Sequence, residues 1–566
     1  MTINEKISVL RRNLGMSQDE LAEKLDVSRQ SVSKWESGKS LPETDKVLAL
    51  SKLFNVSADF LLDDEEEFAT VVAPSDSAII IDETEEIEEY VQPEQEYFEE
   101  PESEDYPIDE EQPVFETENA IEVLPAPIDE KKKKSLPVKK IIAAIVAVIL
   151  IIALIIPIPT GLYEKAFCEE YIEYPYVLVH GLGGYGADSK INDINPYWGA
   201  ETGNLAAYLR DDMGYEVYEA SVGPFSSTWD RTCELYAQLT GTTVDYGEAH
   251  SQAHGHERYG RTYENKLAGE WGSETKGGQV LKVNLVGHSF GGATIRMLAS
   301  LLEYGDEAEK QTSGDEVSPL FKGGQGNLVN SVTTLCSPHN GSTLYYCVEK
   351  YNVVDYALNF VFFGSQLAQN NDVGNYYDFH LEHFGIESGS QSIASLLQTE
   401  FGQGTDNAAY DLSPDGAAEI NKNIKLVDSV YYFSYAYSAT EQRGSKHYPD
   451  SSVLSWSDIL YLPAGLIGSF SNNTVTDYPI DETWLENDGM VNVISAKYPF
   501  GDEWQDYDSE NIVRGVWNVM PVEKGHHGTV IGMDSTASKT QEFYLGLFKM
   551  IDERPRDKKY YFKGLF

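Results

Sequence analysis

Four patterns of hydrophobic and polar residues follow one another along the chain. Over residues 1–62, apolar side chains recur at helical spacing and predict a small all-α domain of five short helices. Residues 63–130 contain many Glu, Asp and Pro but few adjacent apolar residues, which predicts a disordered acidic linker. An unbroken apolar run, Ile141–Ile158, comes next, and residues 166–566 then alternate apolar strands, Gly-rich turns and helical stretches. The sequence therefore predicts a multidomain chain that ends in an α/β domain.

The apolar run has the features of a membrane-spanning helix. It carries no charge, and at about 1.5 Å per residue it is just long enough to cross a hydrocarbon core of about 30 Å. Lysines fill the preceding flank and glutamates the following one, so the positive-inside rule keeps the N-terminus in the cytoplasm. We predict a basic juxtamembrane segment at 131–140, a single transmembrane helix at 141–160 in the cell membrane, and an extracytoplasmic domain at 166–566. A buried core helix is the alternative, although such a helix rarely lacks a polar face.

Charge and cysteine content restrict the interpretation further. The formal net charge of -50 argues against nucleic-acid binding by the whole chain, but the acidic surplus is concentrated in residues 63–130. The head at 1–62 must therefore be judged by itself. The four cysteines all follow residue 166 and are too few for a disulfide framework, so we expect no obligatory disulfide. The basic residues near the C-terminus, such as Lys558 and Lys559, are most simply a solvated end.

The head contains two helix-start signals about eleven residues apart. Ser17 precedes an acidic first turn, and Ser28 precedes the amphipathic stretch Arg29–Glu36. Two capped helices joined by a tight turn predict a helix-turn-helix.

The stretch Met16–Pro42 closely resembles the Cro and phage-repressor type of DNA-binding domain. The resemblance rests on Ser17-Gln-x-Glu-Leu-Ala, Val27-Ser28 and Val32-Ser-Lys-Trp-Glu36. It implies that DNA is a partner of the head, and that Gln18 contacts a phosphate while four residues face the major groove: Ser28, Arg29, Gln30 and Lys34. Arg and Gln offer paired donors to base edges, which agrees with this assignment. A helical protein-interaction module is the alternative, because the fold does not by itself ensure DNA binding.

In the C-terminal domain, a Gly-x-Ser-x-Gly motif lies between an apolar strand and a helical stretch. The strand Val283–Gly287 runs into His288-Ser289-Phe290-Gly291, and a helix is predicted from Thr294. This is the context of a nucleophile elbow, in which flanking glycines allow the sharp turn that exposes Ser289.

A serine hydroxyl needs a base and an orienting carboxylate to become a nucleophile. Asp488, within Leu485–Gly489, and one of two late histidines, His526 or His527, follow the serine in the order that this fold requires. An ordinary turn Asp before Gly is the alternative for Asp488. The backbone N–H groups of Leu182 and Phe290 are the predicted oxyanion hole.

Several further motifs resemble the secreted bacterial triacylglycerol lipases that carry a zinc-binding insertion. They are Val222–Arg231, Val244–Gly247, His254–Thr262, Ser337–Gly341 and Trp484–Gly489. The resemblance covers about 175–550 and implies an α/β-hydrolase fold, a lipid or ester substrate and a mobile lid over residues 351–367, for which a plain buried helix is the alternative. It also implies a Ser289–Asp488–His527 triad, with His527 preferred because its spacing to Asp534 fits the family pattern.

The same resemblance implies a structural Zn²⁺. Asp230, His250 and His256 share one insertion, and imidazoles with carboxylates make a reasonable tetrahedral set. The family has its fourth ligand in a Tyr-Asp-Leu-Ser sequence, which points to Asp411. With four protein ligands the metal would be structural. From the residues alone, a solvated His-rich loop is the alternative.

The resemblance also implies Ca²⁺ beside the catalytic histidine, but the residues match only in part. Asp534 corresponds to one carboxylate ligand, whereas Thr529 stands where a glutamate is expected, and the loss of an anionic ligand weakens a hard-cation site. Phe290, where relatives often have a polar residue, is expected to change the acyl pocket.

Together these patterns predict a membrane-anchored extracytoplasmic serine lipase or carboxylesterase, acting on acylglycerols or related esters and joined to a cytoplasmic DNA-binding head. The alternative is a membrane-bound transcriptional regulator whose lipase-like domain senses lipids or esters. The sequence makes no prediction of oligomeric state.

Overall fold

The computed structural model describes a small helical head and a large α/β domain. The described residues are 3–13, 16–25, 27–36 and six single positions up to 54, and then 167–562 with gaps at 276–277, 352–376, 388–395, 397, 456–457, 471–479 and 556–557. The predicted linker, the predicted transmembrane helix at 141–160 and residues 352–367 of the predicted lid lie outside the described residues. Within the described ranges, no helix combines the length and the apolarity needed to cross a membrane.

Three helices form the described part of the head: Ile3–Asn13, Gln18–Lys24 and Arg29–Glu36. Ile7, Leu21 and Val32, one from each helix, are fully buried in a shared apolar cluster. The helix Arg29–Glu36 begins after Ser28, whose hydroxyl accepts a hydrogen bond from Ser31 N at 3.2 Å. The predicted helix pair and its N-cap are confirmed, because a buried stripe and a capping serine are both local signals.

The α/β domain is built on a seven-stranded sheet. Its strands are β2 (Tyr176–Val179), β3 (Val217–Ala220), β6 (Val283–His288), β7 (Val329–Leu335), β8 (Tyr431–Tyr435), β12 (Trp504–Asp506) and β13 (Trp517–Val519). Their order across the sheet is β12-β13-β8-β7-β6-β2-β3, and every pairing is parallel. The remaining strands form small two-stranded pairs: β1 (Phe167–Tyr171), β4 (Thr243–Asp245), β5 (Tyr259–Thr262), β9 (Tyr437–Ser438), β10 (Thr440–Arg443), β11 (Lys446–Pro449), β14 (Glu523–Lys524) and β15 (Lys558–Phe562).

The domain's α-helices, in chain order, are Lys190–Ile194, Leu205–Ala207, Thr228–Thr240, Glu248–His254, Gly291–Tyr304, Glu307–Ser313, Pro319–Lys322, Leu344–Tyr351, Glu400–Gln403, Ala408–Asp411, Pro414–Asn423, Tyr461–Gly468, Val493–Lys497 and Ala537–Asp552.

Two apolar cores cover the two faces of the sheet. Alternate residues of β2 point to opposite faces, as the period of a strand requires: Val177 packs into one core and Leu178 into the other. The first core includes the helices Thr228–Thr240 and Gly291–Tyr304, and the second includes Ala537–Asp552. Because β2 and β6 are buried on both faces, they appear in sequence as unbroken apolar runs. The predicted α/β class is confirmed.

Part of the C-terminal basic segment, Lys558–Phe562, forms β15, which pairs antiparallel with β1. No local sequence signal predicts this pairing, because the two strands lie almost the whole domain apart along the chain.

Candidate active site and metal centre

Ser289 lies on a sharp turn between β6 and the helix Gly291–Tyr304. Its backbone has a φ of 54°, in the left-handed region that residues with a Cβ rarely adopt. Glycine is required on both sides of it: a Cβ on Gly287 would lie 2.5 Å from the carbonyl carbon of Gly291, and a Cβ on Gly291 would collide with the carbonyl oxygen of Val179. The predicted strand, strained turn and helix are all present, and strain at such a position often accompanies function.

Ser289, His527 and Asp488 are hydrogen-bonded in series. Ser289 Oγ lies 2.9 Å from His527 Nε2, and His527 Nδ1 lies 2.8 Å from Asp488 Oδ2. All three side chains are buried. The structure thus brings together three side chains that lie far apart in sequence, in the geometry of a nucleophile, a base and an orienting carboxylate.

The Asp488 carboxylate is held by its own loop. Its Oδ1 accepts hydrogen bonds from Met490 N at 2.9 Å and Val491 N at 2.7 Å, which leaves Oδ2 for His527. The Asp488 carbonyl also accepts from His527 N at 2.9 Å. An ordinary turn Asp would also accept the bonds from Met490 N and Val491 N. The contact of Oδ2 with His527 is what distinguishes Asp488 from such a turn residue.

Leu182 and Phe290, the predicted oxyanion residues, belong to one apolar cluster beside Ser289. The loop after β2 approaches the serine closely, since a Cβ on Gly181 would lie 2.7 Å from the Ser289 Cβ. Within the described part of the chain, neither backbone N–H donates to a protein acceptor. Both donors are therefore available to an oxygen that develops negative charge.

A second cluster of polar side chains has the composition of a metal centre. One ligand atom each from Asp230, His250, His256 and Asp406 lies within 4.8 Å of the others. His250 Nε2 is 3.3 Å from Asp230 Oδ1 and 3.2 Å from Asp406 Oδ2, and His256 Nε2 is 3.3 Å from the same Asp406 oxygen.

None of these four buried atoms makes a hydrogen bond within the described chain, although they face one another. Buried polar atoms are nearly always paired, so four unpaired ones that converge on a point fit a bound cation. Two imidazoles and two carboxylates suit Zn²⁺. Burial lowers the pKa of His250, but the carboxylates of Asp230 and Asp406 outweigh it and raise that pKa to about 10. The carboxylates of Asp230 and Asp406 thus stabilise positive charge at the cluster.

Asp411, the predicted fourth ligand, is not in this cluster, and Asp406 takes its place. Asp411 Oδ2 instead accepts a hydrogen bond from Thr228 N at 2.6 Å, at the start of the helix Thr228–Thr240. Burial raises the pKa of Asp411 to about 7. Asp406 precedes the helix Ala408–Asp411, whereas Asp411 is the last residue of that helix. The similarity at Tyr410–Ser413 pointed to Asp411 because it does not include Asp406.

His383 is a residue that sequence reasoning missed. Its Nε2 lies 2.9 Å from Asp230 Oδ2, so it contacts the carboxylate oxygen that faces away from the cluster. Such an outer partner typically orients a metal-binding carboxylate. No motif surrounds His383, and nothing in the sequence relates it to Asp230. His254, by contrast, is exposed and lies outside the four-residue group.

Asp534, the predicted calcium ligand, lies in neither group of metal-binding type among the described residues. Its Oδ2 lies 3.1 Å from His526 Nε2, and its N–H donates to Glu201 Oε2 at 3.2 Å. Thr529 Oγ1 accepts a hydrogen bond from His526 N at 3.0 Å, so hydrogen bonds within the protein hold the loop around His526. The residues present fit calcium poorly, because only one carboxylate of the expected pair is available.

In the head, the predicted base-reading residues lie on one exposed helix surface. Ser28, Arg29, Gln30 and Lys34 are exposed, whereas Val32 and Trp35 face the core. Gln18 Nε2 donates to Glu36 Oε2 at 2.7 Å, and Arg11 pairs with the same carboxylate. Gln18 thus links the helices Gln18–Lys24 and Arg29–Glu36, and its contact with a phosphate stays a prediction.

Both described parts of the chain match known families. Residues 172–554 match a family model described as "Lipase-like, C-terminal domain", and residues 7–61 match a helix-turn-helix family model. A lipase from Staphylococcus epidermidis is 35% identical over 395 residues, which cover 66% of this chain and 53% of the relative. The chain spans about half the length of the curated relatives it matches.

Two solved structures are also similar. EstA from Clostridium botulinum is 34% identical with a TM-score of 0.61, over 68% of this chain and 89% of that chain. Lipase 1 from Pelosinus fermentans is 36% identical with a TM-score of 0.59, over 68% of this chain and 99% of that chain.

Proposed function

This chain belongs to the lipase-like family, and we propose that its C-terminal domain hydrolyses lipid carboxylic esters such as acylglycerols, with Ser289 as the nucleophile. The observation that carries the proposal is the hydrogen-bonded series from Ser289 through His527 to Asp488. Two of the similar proteins, from Staphylococcus epidermidis and Pelosinus fermentans, are named lipases, which supports the same reaction class.

The reaction has two steps. His527 Nε2 takes the proton of Ser289 Oγ as that oxygen attacks the ester carbonyl, and the protonated imidazole then gives the proton to the departing alcohol. Water attacks the acyl-serine in the second step with His527 again as base, which releases the acid and restores the hydroxyl. Asp488 orients the imidazole and stabilises its protonated form, while the N–H groups of Leu182 and Phe290 stabilise the oxyanion.

The test is covalent labelling and turnover. A fluorophosphonate probe should label the purified full-length chain at Ser289, as located by mass spectrometry, and the same protein should release fatty acid from emulsified triacylglycerol. Labelling absent from Ser289 together with no hydrolysis above the heat-inactivated protein would contradict the proposal.

Zn²⁺ is the metal that best suits the second cluster. Asp230, His250, His256 and Asp406 would hold it, and His383 would orient Asp230. Asp230 lies in the helix Thr228–Thr240, His250 in the helix Glu248–His254, His256 in the turn that follows it, and Asp406 before the helix Ala408–Asp411, so the ion would join three parts of the domain. Four protein ligands leave no position for substrate, so its contribution is structural.

The lipase-like domain acts outside the cytoplasm, where a single transmembrane helix at 141–160 holds it. This proposal is supported by the uncharged apolar run Ile141–Ile158 and the lysines that precede it. Protease added to intact cells should remove the lipase-like domain and leave a membrane-bound fragment that contains the head. Digestion of the head before the lipase-like domain would indicate the opposite orientation in the membrane. Release of the intact chain by alkaline carbonate would exclude the transmembrane anchor.

The head binds DNA through the helix Arg29–Glu36. The helix-turn-helix match and the exposed Arg29 and Gln30 favour this activity. Chromatin pull-down with the full-length chain should recover discrete sites. The Arg29→Ala and Gln30→Ala variants should lose them, because each lost base contact costs about 1–3 kcal/mol of binding free energy. Lys24→Ala, which removes an exposed lysine from the neighbouring helix, is the control and should keep the same sites. Recovery of no sites above background by the wild-type chain would leave the head as a protein-interaction module. Recovery of identical sites by all variants would exclude Arg29 and Gln30 as the base-reading residues.

The presence of this head makes a lipid- or ester-responsive regulator the second candidate function. In that case site occupancy on DNA would change when triacylglycerol or fatty acid is supplied, and a Ser289→Ala variant would still respond to the ester. Occupancy that is the same with and without lipid would remove this candidate.

A further inference from the structure

His288, the residue before the nucleophile, connects two parts of the active site. Its Nδ1 lies 2.6 Å from the hydroxyl of Tyr197, and its Nε2 lies 3.0 Å from the backbone carbonyl oxygen of His527. The Tyr197 hydroxyl also accepts a hydrogen bond from Gly181 N at 2.8 Å. His288 is almost completely buried, so these are its polar contacts in place of water.

The protein groups determine the direction of every hydrogen bond in this series. A backbone carbonyl can only accept, so His288 carries its proton on Nε2 and donates it to His527 O. The neutral ring then has its lone pair on Nδ1, which accepts the Tyr197 O–H. Burial and, next, the neighbouring His527 lower the pKa of His288 to about 3, so the ring stays neutral throughout the neutral range. The series therefore runs in one sense, from Gly181 N–H through Tyr197 and His288 to His527 C=O.

Each end of the series meets a group that the reaction uses. Gly181 directly precedes Leu182, whose N–H is an oxyanion donor, and lies against Ser289. At the other end, His527 N donates to Asp488 O at 2.9 Å while His527 O accepts from His288. The backbone of the base is thus held on both sides, independently of the bond between its ring and Asp488.

We propose that Tyr197 and His288 are positioning residues that hold the oxyanion loop and the base His527 in register with each other. The inference rests on the proposed hydrolytic function. Neither side chain is required to touch the substrate. Their loss should misalign the oxyanion donors and the base. Because these groups act in the chemical step and not in substrate binding, kcat should fall while KM stays nearly unchanged.

The test uses the full-length chain with three changes of increasing severity. Tyr197→Phe removes one hydroxyl and keeps the ring. His288→Gln keeps an amide donor near the position of Nε2, and His288→Leu removes it. We expect kcat to fall up to about 100-fold in His288→Leu, since a misplacement of about 1 Å can cost that much. Tyr197→Phe and His288→Gln should show smaller losses, and the Gln variant should thus be a partial rescue.

Tyr185→Phe is the matched control. Like Tyr197, Tyr185 donates a hydrogen bond through its hydroxyl, here to Asn195 O at 2.8 Å, and its ring packs edge-on against Tyr197. Among the described residues, however, its hydroxyl has no hydrogen-bonded link to His527. It should keep the wild-type kcat. In a double-mutant cycle, Tyr197→Phe should cost little once His288→Leu is present, because the two act through one series.

Wild-type kcat in Tyr197→Phe and His288→Gln, or a loss confined to KM, would overturn the inference while labelling of Ser289 still supported the hydrolase. If the His288 variants do not fold, Tyr197→Phe against Tyr185→Phe decides the matter alone. Absence of labelling at Ser289 in the wild-type chain would instead refute the proposed function itself, so the two failures are distinguishable.

Discussion

Ester hydrolysis by the Ser289→Ala variant should fall on the order of 10⁶-fold in kcat, which is the loss seen when a nucleophile is removed from a serine triad. The Ser289 hydroxyl is the group that lies 2.9 Å from His527 Nε2, and alanine leaves the base without a proton to take. The measurement is single-turnover and steady-state release of fatty acid from short-chain and long-chain esters by the full-length chain. Equal rates for wild type and variant would exclude Ser289 as the nucleophile.

The two adjacent histidines provide a control within the same loop. His527→Asn should lose activity to nearly the same extent as Ser289→Ala, and Asp488→Asn about 10⁴-fold, because the imidazole then lacks its orienting carboxylate. His526→Asn should remain within about tenfold of wild type, because His526 contacts Asp534 and makes no bond to Ser289. The opposite order of the two histidine variants would assign the base to His526.

Removal of metal should destabilise the lipase-like domain. An ion present at about 1,000 times its dissociation constant stabilises a folded domain by about 4 kcal/mol, and a chelator removes that contribution. Asp406→Asn should lower metal content and melting temperature as chelation does, because a cluster ligand is lost. Asp411→Asn is the matched control: it keeps an oxygen to accept from Thr228 N and should retain the metal.

Metal content by mass spectrometry and thermal unfolding with and without chelator are the measurements. Metal loss in Asp411→Asn but not in Asp406→Asn would restore the assignment made from sequence. Wild-type protein that contains no metal and melts at the same temperature with chelator would exclude the metal centre.

The pH dependence of metal binding has a predictable sign. His250 must lose its proton to bind a cation, and its pKa in the metal-free protein is raised to about 10 from an ordinary value of 6.5. In the metal-free protein this protonation therefore contributes stability that is present below about pH 6.5 and is lost as the pH rises through 10. Metal affinity should accordingly rise with pH over the same interval, and titration calorimetry in buffers of different ionisation enthalpy should detect proton release on binding.

Local sequence signals predicted the parts of the site that depend on one segment of chain. Glycines at 287 and 291 around Ser289, after an apolar strand, predict the strained turn because no other residue fits there. Ser28 before Arg29 predicts the start of a helix for a similarly local reason. Such features depend on backbone conformation and on residues within one or two turns, and both can be deduced from the order of residues.

The errors and omissions concern contacts between distant segments. The sequence pointed to Asp411 as the fourth ligand, but in the folded domain Asp411 accepts from Thr228 N and Asp406 joins the cluster. The contact of His383 with Asp230 spans 153 positions, and that of Tyr197 with His288 spans 91. Periodicity carries no information about which of many polar side chains will meet across such distances.

The sequence by itself determined the classes of domain, the sharp turn at Ser289 and the types of side chain available for chemistry. The tertiary structure decided which carboxylate and which imidazole meet, because those choices depend on the folded sheet and on the helices that pack against it. Burial then decided what the groups do: it leaves four atoms of the metal cluster without hydrogen bonds and makes His288 a neutral donor to His527.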